Sequence, residues 1–293
     1  MIFRTDLALE RREAITEECP GTQAEERTAG KVRISHIRVI NEEGEQALGK
    51  PKGSYITLEV PPFSADAEMF DGRIDVMARE LAQLLPKKGT ALVVGLGNHQ
   101  ITPDALGPRT MDTILATRHL SGELLESIGL PGLRPVCAAA PGVLGQTGIE
   151  TSEIIEGLAA RIKPAVVIVI DALASRSLSR LGCTVQISDT GIEPGAGVGN
   201  RRREISSRTL GVPVIAIGVP TVVDATTLAA DLLADEKLGE SVKQQIEPRG
   251  MPMMVTPREI DLLIQRASRL LALVINSALQ PDLSPEDILS LVS

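Results

Sequence analysis

The sequence predicts an α/β fold: a three-layer α/β/α core on a mostly parallel central sheet, with a small N-terminal β-containing arm or subdomain. From about residue 54 onward, apolar runs of strand length alternate with segments of helical periodicity, a pattern typical of right-handed βαβ units. Hydrophobic residues make up 43% of the 293-residue chain and aromatic residues only 1%. Such an aliphatic composition suits a parallel sheet that is buried on both faces.

The predicted strands are short runs rich in Val, Ile and Leu. The first, at 55–60, alternates between apolar and polar residues, and the run at 165–170 is continuously apolar. They lie at 55–60, 90–96, 134–139, 165–170, 183–188 and 212–218.

The predicted helices fill the segments between these strands. Residues 66–85 carry apolar positions at helical spacing, and the last long helix begins with Thr256 as N-cap, Pro257 in the first turn and Glu259 closing a capping box. The charged segment 236–250 has no periodicity and is predicted to be a loop. The other predicted helices lie at 109–119, 151–162, 173–180 and 224–235.

Residues 1–53 differ in composition from the rest of the chain. They are polar and charged, and they end in a Gly/Lys/Pro stretch at 49–53. We therefore divide the chain into an N-terminal arm, which ends at residue 53, and a catalytic core at 54–293.

Charge and composition argue against several function classes. A net charge of −8 disfavours binding to nucleic acid or to an anionic membrane. The longest apolar runs fall short of the ~20 residues of a membrane helix. The three cysteines lie far apart without metal or disulfide spacing, and the N-terminus lacks the pattern of a secretory signal. We expect a protein of the reducing cytoplasm that works without a cofactor.

Two aspartates at the ends of apolar runs are the candidate chemistry. Asp104 follows the run at 91–96 after a short loop, and Asp171 directly follows the run at 165–170. Strands that run in parallel would bring both carboxylates to the same edge of the sheet, where open α/β sheets place their active sites. Two facing carboxylates can share a proton, so that one acts as acid and the other as base. The alternative for each is a helix N-cap.

A second group of candidates lies at 189–203. The glycine-rich loop at 195–200 could cradle an anion through its backbone N–H groups, but it lacks the Lys-Ser/Thr of a P-loop. A loop whose basic edge faces an acidic substrate is the preferred interpretation. Asp189 could line the same crevice. The basic edge consists of Arg201, Arg202 and Arg203.

The histidines and serines give little support to other hydrolase chemistries. None of the three histidines pairs with another at metal spacing, although His99 lies near enough to Asp104 to leave a His/Asp/Asp metal site open. No GxSxG nucleophile motif is present.

The chain resembles the germination protease (spore endopeptidase) family over nearly its whole length. The resemblance rests on many ordered segments: RTDLA at 4–8, VGLGN at 94–98, TPDALGP at 102–108, TRHL at 117–120, APGV at 140–143, GIETS at 148–152, IDALA at 170–174, QISDTGI at 186–192, GVGN at 197–200, residues 211–224, and MVTP at 254–257.

The resemblance implies an atypical aspartic-type endopeptidase whose two essential aspartates map to Asp104 and Asp171. It implies small acid-soluble spore proteins as substrates, a homotetramer, and an α/β/α core similar to that of the nickel-binding hydrogenase maturation peptidases. We expect no metal here, because the histidine constellation is missing. The spore core is the expected location.

The resemblance also implies a zymogen that removes a short N-terminal segment. Family substrates are cut after the first acid of the pattern acid–apolar–Ala–x–Glu, and residues 6–10 read DLALE. We therefore expect self-cleavage between Asp6 and Leu7, which makes residues 1–6 a pro-segment and 7–53 the arm. Only five residues precede Asp6, fewer than in the longer members of the family, and the stretch around 236–250 is shorter than the family's insert.

The expected mechanism holds one water between Asp104 and Asp171. The ionised carboxylate takes a proton from the water, while the neutral one protonates the peptide carbonyl. A nickel-dependent maturation-like peptidase and a non-enzymatic nucleotide-binding α/β module are the alternatives.

Overall fold

A mixed β-sheet forms the centre of the protein. In the computed structural model, the described residues are 5–15, 19–65, 70–127, 129–130, 132–199, 202–233 and 253–292. Their strands are Thr22–Ala29 (β1), Val32–Val39 (β2), Gly53–Glu59 (β3), Ala91–Gly95 (β4), Val136–Ala139 (β5), Val166–Ser175 (β6), Thr184–Ser188 (β7), Val214–Asp224 (β8) and Met254–Val255 (β9).

Helices cover both faces of this sheet. The described helices are Ala8–Glu13 (α1), Glu42–Leu48 (α2), Arg73–Ala82 (α3), Leu106–Met111 (α4), Gly122–Ser127 (α5), Leu144–Thr147 (α6), Thr151–Ile162 (α7), Ser207–Leu210 (α8), Ala225–Leu233 (α9), Ile260–Leu279 (α10) and Pro285–Val292 (α11).

The strand order is β1-β2-β3-β7-β8-β6-β4-β5, and β9 pairs with β8. Strands β5, β4, β6 and β8 run parallel, and the remaining pairs are antiparallel. The predicted α/β class is confirmed, and the sheet that carries it is mixed. Strand β7 is antiparallel because only residues 176–183 link it to β6, whereas a parallel crossover needs about a dozen residues or more.

Two apolar clusters make the layers on either side of the sheet. On one face Ile168 and Ile170 pack with residues of α3, α4 and α10. On the other face Val167 and Val169 pack with Ile155 of α7. Successive residues of a strand point to opposite faces, so the continuous apolar run of β6 supplies both clusters.

The N-terminal residues 7–53 extend this sheet. Strands β1 and β2 continue it outward from β3. Ile37 and Val39 of β2 form a third cluster with α1 and α2 around Tyr55. The proposed division at residue 53 therefore falls at the start of β3 and stays a prediction.

Several predicted elements differ from the structure at their ends. The predicted helix at 173–180 is wrong at its start, because β6 continues to Ser175 through pairing with β8 and only a 3-10 turn follows at Leu178–Arg180. The helix predicted at 109–119 is α4, which ends at Met111. Thr256 does not cap α10; its hydroxyl donates to the Thr221 carbonyl oxygen over 2.9 Å. The segment 236–250 lies outside the described residues.

Helix α10 is long and apolar enough by composition to cross a membrane, with a mean hydropathy of 1.3 over its most apolar stretch. It nevertheless packs as a core helix, because residues such as Leu263, Leu270 and Val274 are buried in the cluster that α3 and α4 share. A buried core helix meets the same criterion of length and composition as a membrane span, so the helix is weak evidence for one.

Candidate active site

Strand β6 runs past the end of its neighbour β4 and so opens a crevice. The last residue of β4, Gly95, pairs with Ile170, and the next N–H, that of Leu96, donates to the Ile170 carbonyl over 2.8 Å. Beyond this point β6 is paired with β8 alone as far as Ser175. The crevice lies at the carboxyl end of the parallel strands, where open α/β sheets bind their ligands.

Asp171 is the first residue of β6 beyond the end of β4. It pairs with Gly218 of β8 and is only 7% exposed. Its Oδ1 accepts the N–H of Ala172 over 2.9 Å. Because Asp171 lies inside a strand, it is not a helix cap. Burial, then the charge of Asp104 and then that of Asp6 raise the pKa of Asp171 well above its usual value.

Asp104 reaches the crevice from the loop that follows β4. It ends the 3-10 turn Thr102–Asp104, and its Oδ2 accepts the N–H of Asn98 over 2.7 Å. Helix α4 begins after Ala105 without a side-chain cap, so Asp104 does not cap it. Burial raises the pKa of Asp104 against the lowering effect of the Asn98 N–H.

Gly97 allows the loop to close on Asp104. Its φ of 111° lies in the region that favours glycine, and a Cβ here would overlap the Asp104 carbonyl oxygen. On the other side, the Thr221 hydroxyl of β8 donates to the Pro103 carbonyl over 2.8 Å. The loop is thus fixed to the sheet on both sides of the carboxylate.

The N-terminal segment lies on the part of β6 that β4 leaves unpaired. Asp6 N–H donates to the Ala174 carbonyl over 2.9 Å, and Ala174 N–H donates to the Asp6 carboxylate over 2.8 Å. Ala174 lies four residues beyond Ile170, the last residue of β6 that pairs with β4. Asp6 therefore pairs with the part of β6 that extends beyond the end of β4.

A second backbone donor and two cations surround the Asp6 carboxylate. Burial raises the pKa of Asp6, while Lys50, the Ala174 N–H, Arg11 and the Gly197 N–H lower it, in that order. A Cβ at Gly197 would overlap this carboxylate. The glycine loop at 195–200 thus does contact an anion through its backbone, and the anion belongs to the chain itself.

The backbone around Leu7 is held by side chains. Gln186 of β7 accepts the Ala8 N–H over 2.7 Å and donates to the Asp6 carbonyl over 3.1 Å. Lys50 donates to the same carbonyl over 2.9 Å. Leu7 and Ala8 are fully buried. The Asp6–Leu7 peptide bond therefore joins a half-buried residue to a fully buried one, and the backbone on both sides of Leu7 is hydrogen-bonded.

Glu10 fixes the other end of this segment. Its carboxylate accepts the N–H groups of Arg176 and Ser177 over 2.6 and 3.0 Å, and the Thr5 hydroxyl also donates to it. The Arg180 guanidinium lies 3.8 Å away. Glu10 is 2% exposed, so these donors replace the water that a carboxylate normally requires.

A cavity of about 210 Å³ adjoins Asp6 between the sheet and the loop after β7. Its lining mixes the groups that contact Asp6 with residues of β7 and β8. They include Lys50, Tyr55, Leu173, Gln186, Ser188, Thr190, Glu193, Glu204 and Gly218.

The other predicted site residues lie away from the two carboxylates or outside the described residues. Asp189 accepts the Ser54 N–H over 2.7 Å and so fixes β7 to the start of β3. Arg202 lies 3.6 Å from Glu150, and Arg203 lies 3.1 Å from Glu156 of α7. Arg201 lies outside the described residues. A substrate-binding role for these four residues stays a prediction.

Over the described ranges, no three His, Cys, Asp or Glu side chains form a group that could hold a metal ion. His99, which the sequence left open as a ligand beside Asp104, is exposed.

The contacts that Lys50, Gln186 and Glu10 make at this site were not predicted from the sequence. Gln186 carried a signal, because it is a polar residue between Val185 and Ile187 in a predicted strand. Lys50 had only its place in a Gly/Lys/Pro stretch, which was assigned to the arm. Glu10 matched the substrate pattern, but its buried partners come from residues 166 to 170 positions away in sequence.

The chain is similar in sequence to one family of known proteins. The sequence model of the family "Germination protease" matches residues 4–235. Germination protease of Clostridium tetani is 45% identical over 319 residues, covering 98% of each chain. That of Caldanaerobacter subterraneus is 46% identical over 313 residues, covering 97% of this chain and 96% of the relative.

A more distant relative and one solved structure were also found. Germination protease of a Geobacillus species is 37% identical and covers 97% of this chain. The crystal structure of the [NiFe] hydrogenase maturation protease HycI from Thermococcus kodakarensis aligns with a TM-score of 0.37 and 18% identity over 67% of this chain and 98% of that one. The family match and the full-length relatives show that the chain belongs to the germination protease family.

Proposed function

We propose that this peptidase is an aspartic-type endopeptidase in which Asp104 and Asp171 activate a water molecule. The observation that carries the proposal is that the half-buried Asp104 lies close enough to the buried Asp171 for its charge to oppose ionisation of Asp171. Burial and the charge of Asp104 raise the pKa of Asp171. Two acids that cannot both ionise share one proton, which supplies an acid and a base at the same site.

In the proposed reaction, the ionised carboxylate takes a proton from the water as the water attacks the peptide carbonyl carbon. The neutral carboxyl supplies its proton to the peptide that is being cleaved. The pair thus begins and ends the cycle with one proton. Every proton transfer in this scheme is made by the aspartates.

We propose that the first bond to be cut is the chain's own Asp6–Leu7 bond. The segment at 6–10 carries an acid, an apolar residue, an alanine and a glutamate in the order that the family resemblance implies for substrates. Its two carboxylates are bound at the crevice by Ala174 N–H and by the N–H groups of Arg176 and Ser177. Removal of residues 1–6 would then convert a zymogen to the mature enzyme.

The proposed substrates in trans are small acid-soluble spore proteins, which are degraded during germination. We propose that the enzyme acts in the spore core as a homotetramer without a cofactor, as the family resemblance implies. Light scattering coupled to size-exclusion chromatography measures the oligomeric state, and a monomer would contradict the tetramer.

The test is incubation of the purified protein with a small acid-soluble spore protein, followed by mass spectrometry of the fragments. We expect cuts after an acid that precedes an apolar residue and alanine, and no cuts with Asp171→Asn. Cleavage that a chelator abolishes would instead favour a nickel-dependent peptidase. A protein that cleaves nothing but binds nucleotide in a calorimetric titration would favour a regulatory module.

A further inference from the structure

The carbonyl oxygen of the Asp6–Leu7 peptide bond receives hydrogen bonds from two side chains. The Lys50 ammonium donates over 2.9 Å and the Gln186 amide nitrogen over 3.1 Å. Neither side chain belongs to the aspartate pair. The arrangement is a cation and a neutral N–H aimed at one peptide oxygen, which is the donor set that stabilises an oxyanion.

Gln186 also fixes the orientation of this peptide. Its Oε1 accepts the Ala8 N–H over 2.7 Å, so one amide group holds the backbone on both sides of Leu7. The acceptor side of the amide is thereby used by Ala8, which leaves the donor side for the Asp6 carbonyl. Gln186 is 8% exposed in a strand whose other residues are buried, so it moves little.

Lys50 is held in place by the backbone on either side of it. Gly49, before Lys50, ends α2 in the left-handed conformation with a φ of 65°, and the residue after Lys50 is Pro51. The Pro51 carbonyl accepts the Tyr55 hydroxyl over 2.8 Å. The chain therefore delivers the Lys50 ammonium to the crevice from a stiff segment, as a preorganised donor requires.

We propose that Lys50 and Gln186 are catalytic residues that bind the oxyanion formed at the scissile carbonyl. This inference rests on the proposed function, because it takes Asp6–Leu7 as the bond that Asp104 and Asp171 hydrolyse. It assigns the carbonyl oxygen to a second set of groups, separate from the aspartate pair.

In this reaction Lys50 and Gln186 bind the oxygen, and the aspartate pair transfers the protons. Water attacks the Asp6 carbonyl carbon, one water proton passes to the ionised aspartate, and the π electrons of the carbonyl move onto its oxygen. Lys50 and Gln186 hold that negative oxygen. As the carbonyl re-forms, the C–N bond breaks and the Leu7 nitrogen takes the proton of the neutral aspartate. The oxygen needs no proton from the pair, so this proton is free for the leaving nitrogen.

The test compares first-order rate constants of self-cleavage, followed by intact mass, across a pH series. Lys50→Met keeps the length of the side chain and removes its charge, and we expect it to lower the plateau rate about 10²–10³-fold. The midpoints of the pH profile should stay in place, because the aspartate pair is intact. If Lys50 only stabilised the fold, its substitution would not lower the plateau rate while leaving the pH midpoints unchanged.

Two further variants and one control complete the test. Gln186→Glu is isosteric, retains the acceptor for Ala8 N–H, and replaces the carbonyl donor by an oxygen, so we expect slower cleavage. Lys50→Arg should restore part of the rate, since it returns a cation. Lys52→Met is the matched control on the same segment, where the side chain is exposed, and should cleave at the wild-type rate.

Rates within about threefold of wild type for both Lys50→Met and Gln186→Glu would overturn the inference. Its failure is distinguishable from failure of the proposed function. Asp171→Asn is measured in the same assay, and if that variant is inactive while Lys50→Met cleaves at full rate, only the oxyanion assignment falls. Full cleavage by Asp171→Asn would remove the proposed function itself.

Discussion

Asp6 and Ala174 exchange two hydrogen bonds, one through the Asp6 N–H and one through its carboxylate. The contact lies on the part of β6 that extends beyond the end of β4. It places the predicted self-cleavage site three residues along the strand from Asp171. The length difference between two neighbouring strands therefore creates both the crevice and the docking edge for the bond.

Gly197→Ala is expected to displace the Asp6 carboxylate. A methyl group at this position would overlap both carboxylate oxygens, and Gly197 itself has no left-handed backbone that would add strain. We expect at least a tenfold slower self-cleavage, about 1.4 kcal/mol or more in the barrier. Intact-mass time courses measure it.

Gly157→Ala is the control for this prediction. It adds the same methyl group in α7, where nothing lies within 4 Å, and should leave the rate unchanged. Equal rates for Gly197→Ala and wild type would show that the Asp6 carboxylate does not need this contact.

Glu10→Gln is expected to loosen the N-terminal segment. The amide can accept only one of the two N–H groups that the carboxylate now accepts, and its own nitrogen would face the other. We expect a loss of about 1–3 kcal/mol in the docking of the segment. Faster amide hydrogen exchange at residues 6–10 and slower self-cleavage would report it.

Glu13→Gln gives the comparison on the same helix. Glu13 pairs with Arg180 at 2.6 Å but is half exposed, and such pairs contribute about 1 kcal/mol or less. The account predicts a smaller effect than that of Glu10→Gln. A larger effect would mean that the segment is held through Arg180 and Glu13 rather than through Glu10.

Self-cleavage should have a bell-shaped pH profile. Burial raises the pKa of Asp104, and burial with the charges of Asp104 and Asp6 raises the pKa of Asp171 well above its usual value. The active pair holds one proton. As pH falls the pair gains a second proton, and as pH rises it loses its last, so the rate falls on both sides. A rate that never falls on the alkaline side would contradict a shared proton.

Asp171→Asn should stabilise the fold at neutral pH. Between the ordinary pKa of 3.8 and its raised folded value, the folded state holds a proton that the unfolded state has lost. The wild-type free energy of unfolding therefore decreases as pH rises through this window. The variant has no ionisable group here, so its free energy of unfolding lacks this decrease. The difference in stability between the variant and the wild type should disappear as pH falls toward 3.8. Thermal unfolding across pH measures it, and an equal destabilisation at every pH would contradict it.

The aspartates show which site features can be predicted from sequence. Asp104, Asp171 and Asp224 all follow apolar runs, and a helix cap was the alternative interpretation of the first two. Only Asp224 is a cap: its Oδ1 accepts the N–H groups of Thr226 and Thr227 at the start of α9. Residue order cannot separate the cases, because the distinction depends on where the neighbouring strand ends.

The fold was predictable in class and less so in pairing. The alternation of strands and helices predicted the parallel strands around β6, and the helix at 151–162 agrees with α7. The antiparallel orientation of β7 depends on the short link after β6. The sequence did not show how short this link is, because a helix was predicted at 173–180. Lys50 and Gln186 come together at Leu7 only through long-range contacts, so no local pattern marks them.

The most direct measurement of the central claim is the N-terminal sequence of the self-processed protein, determined for wild type, Asp104→Asn and Asp171→Asn. The account predicts that wild type acquires Leu7 as its new N-terminus and that both variants keep residues 1–6. A new N-terminus at any other residue, or processing of either variant at the wild-type rate, would contradict it.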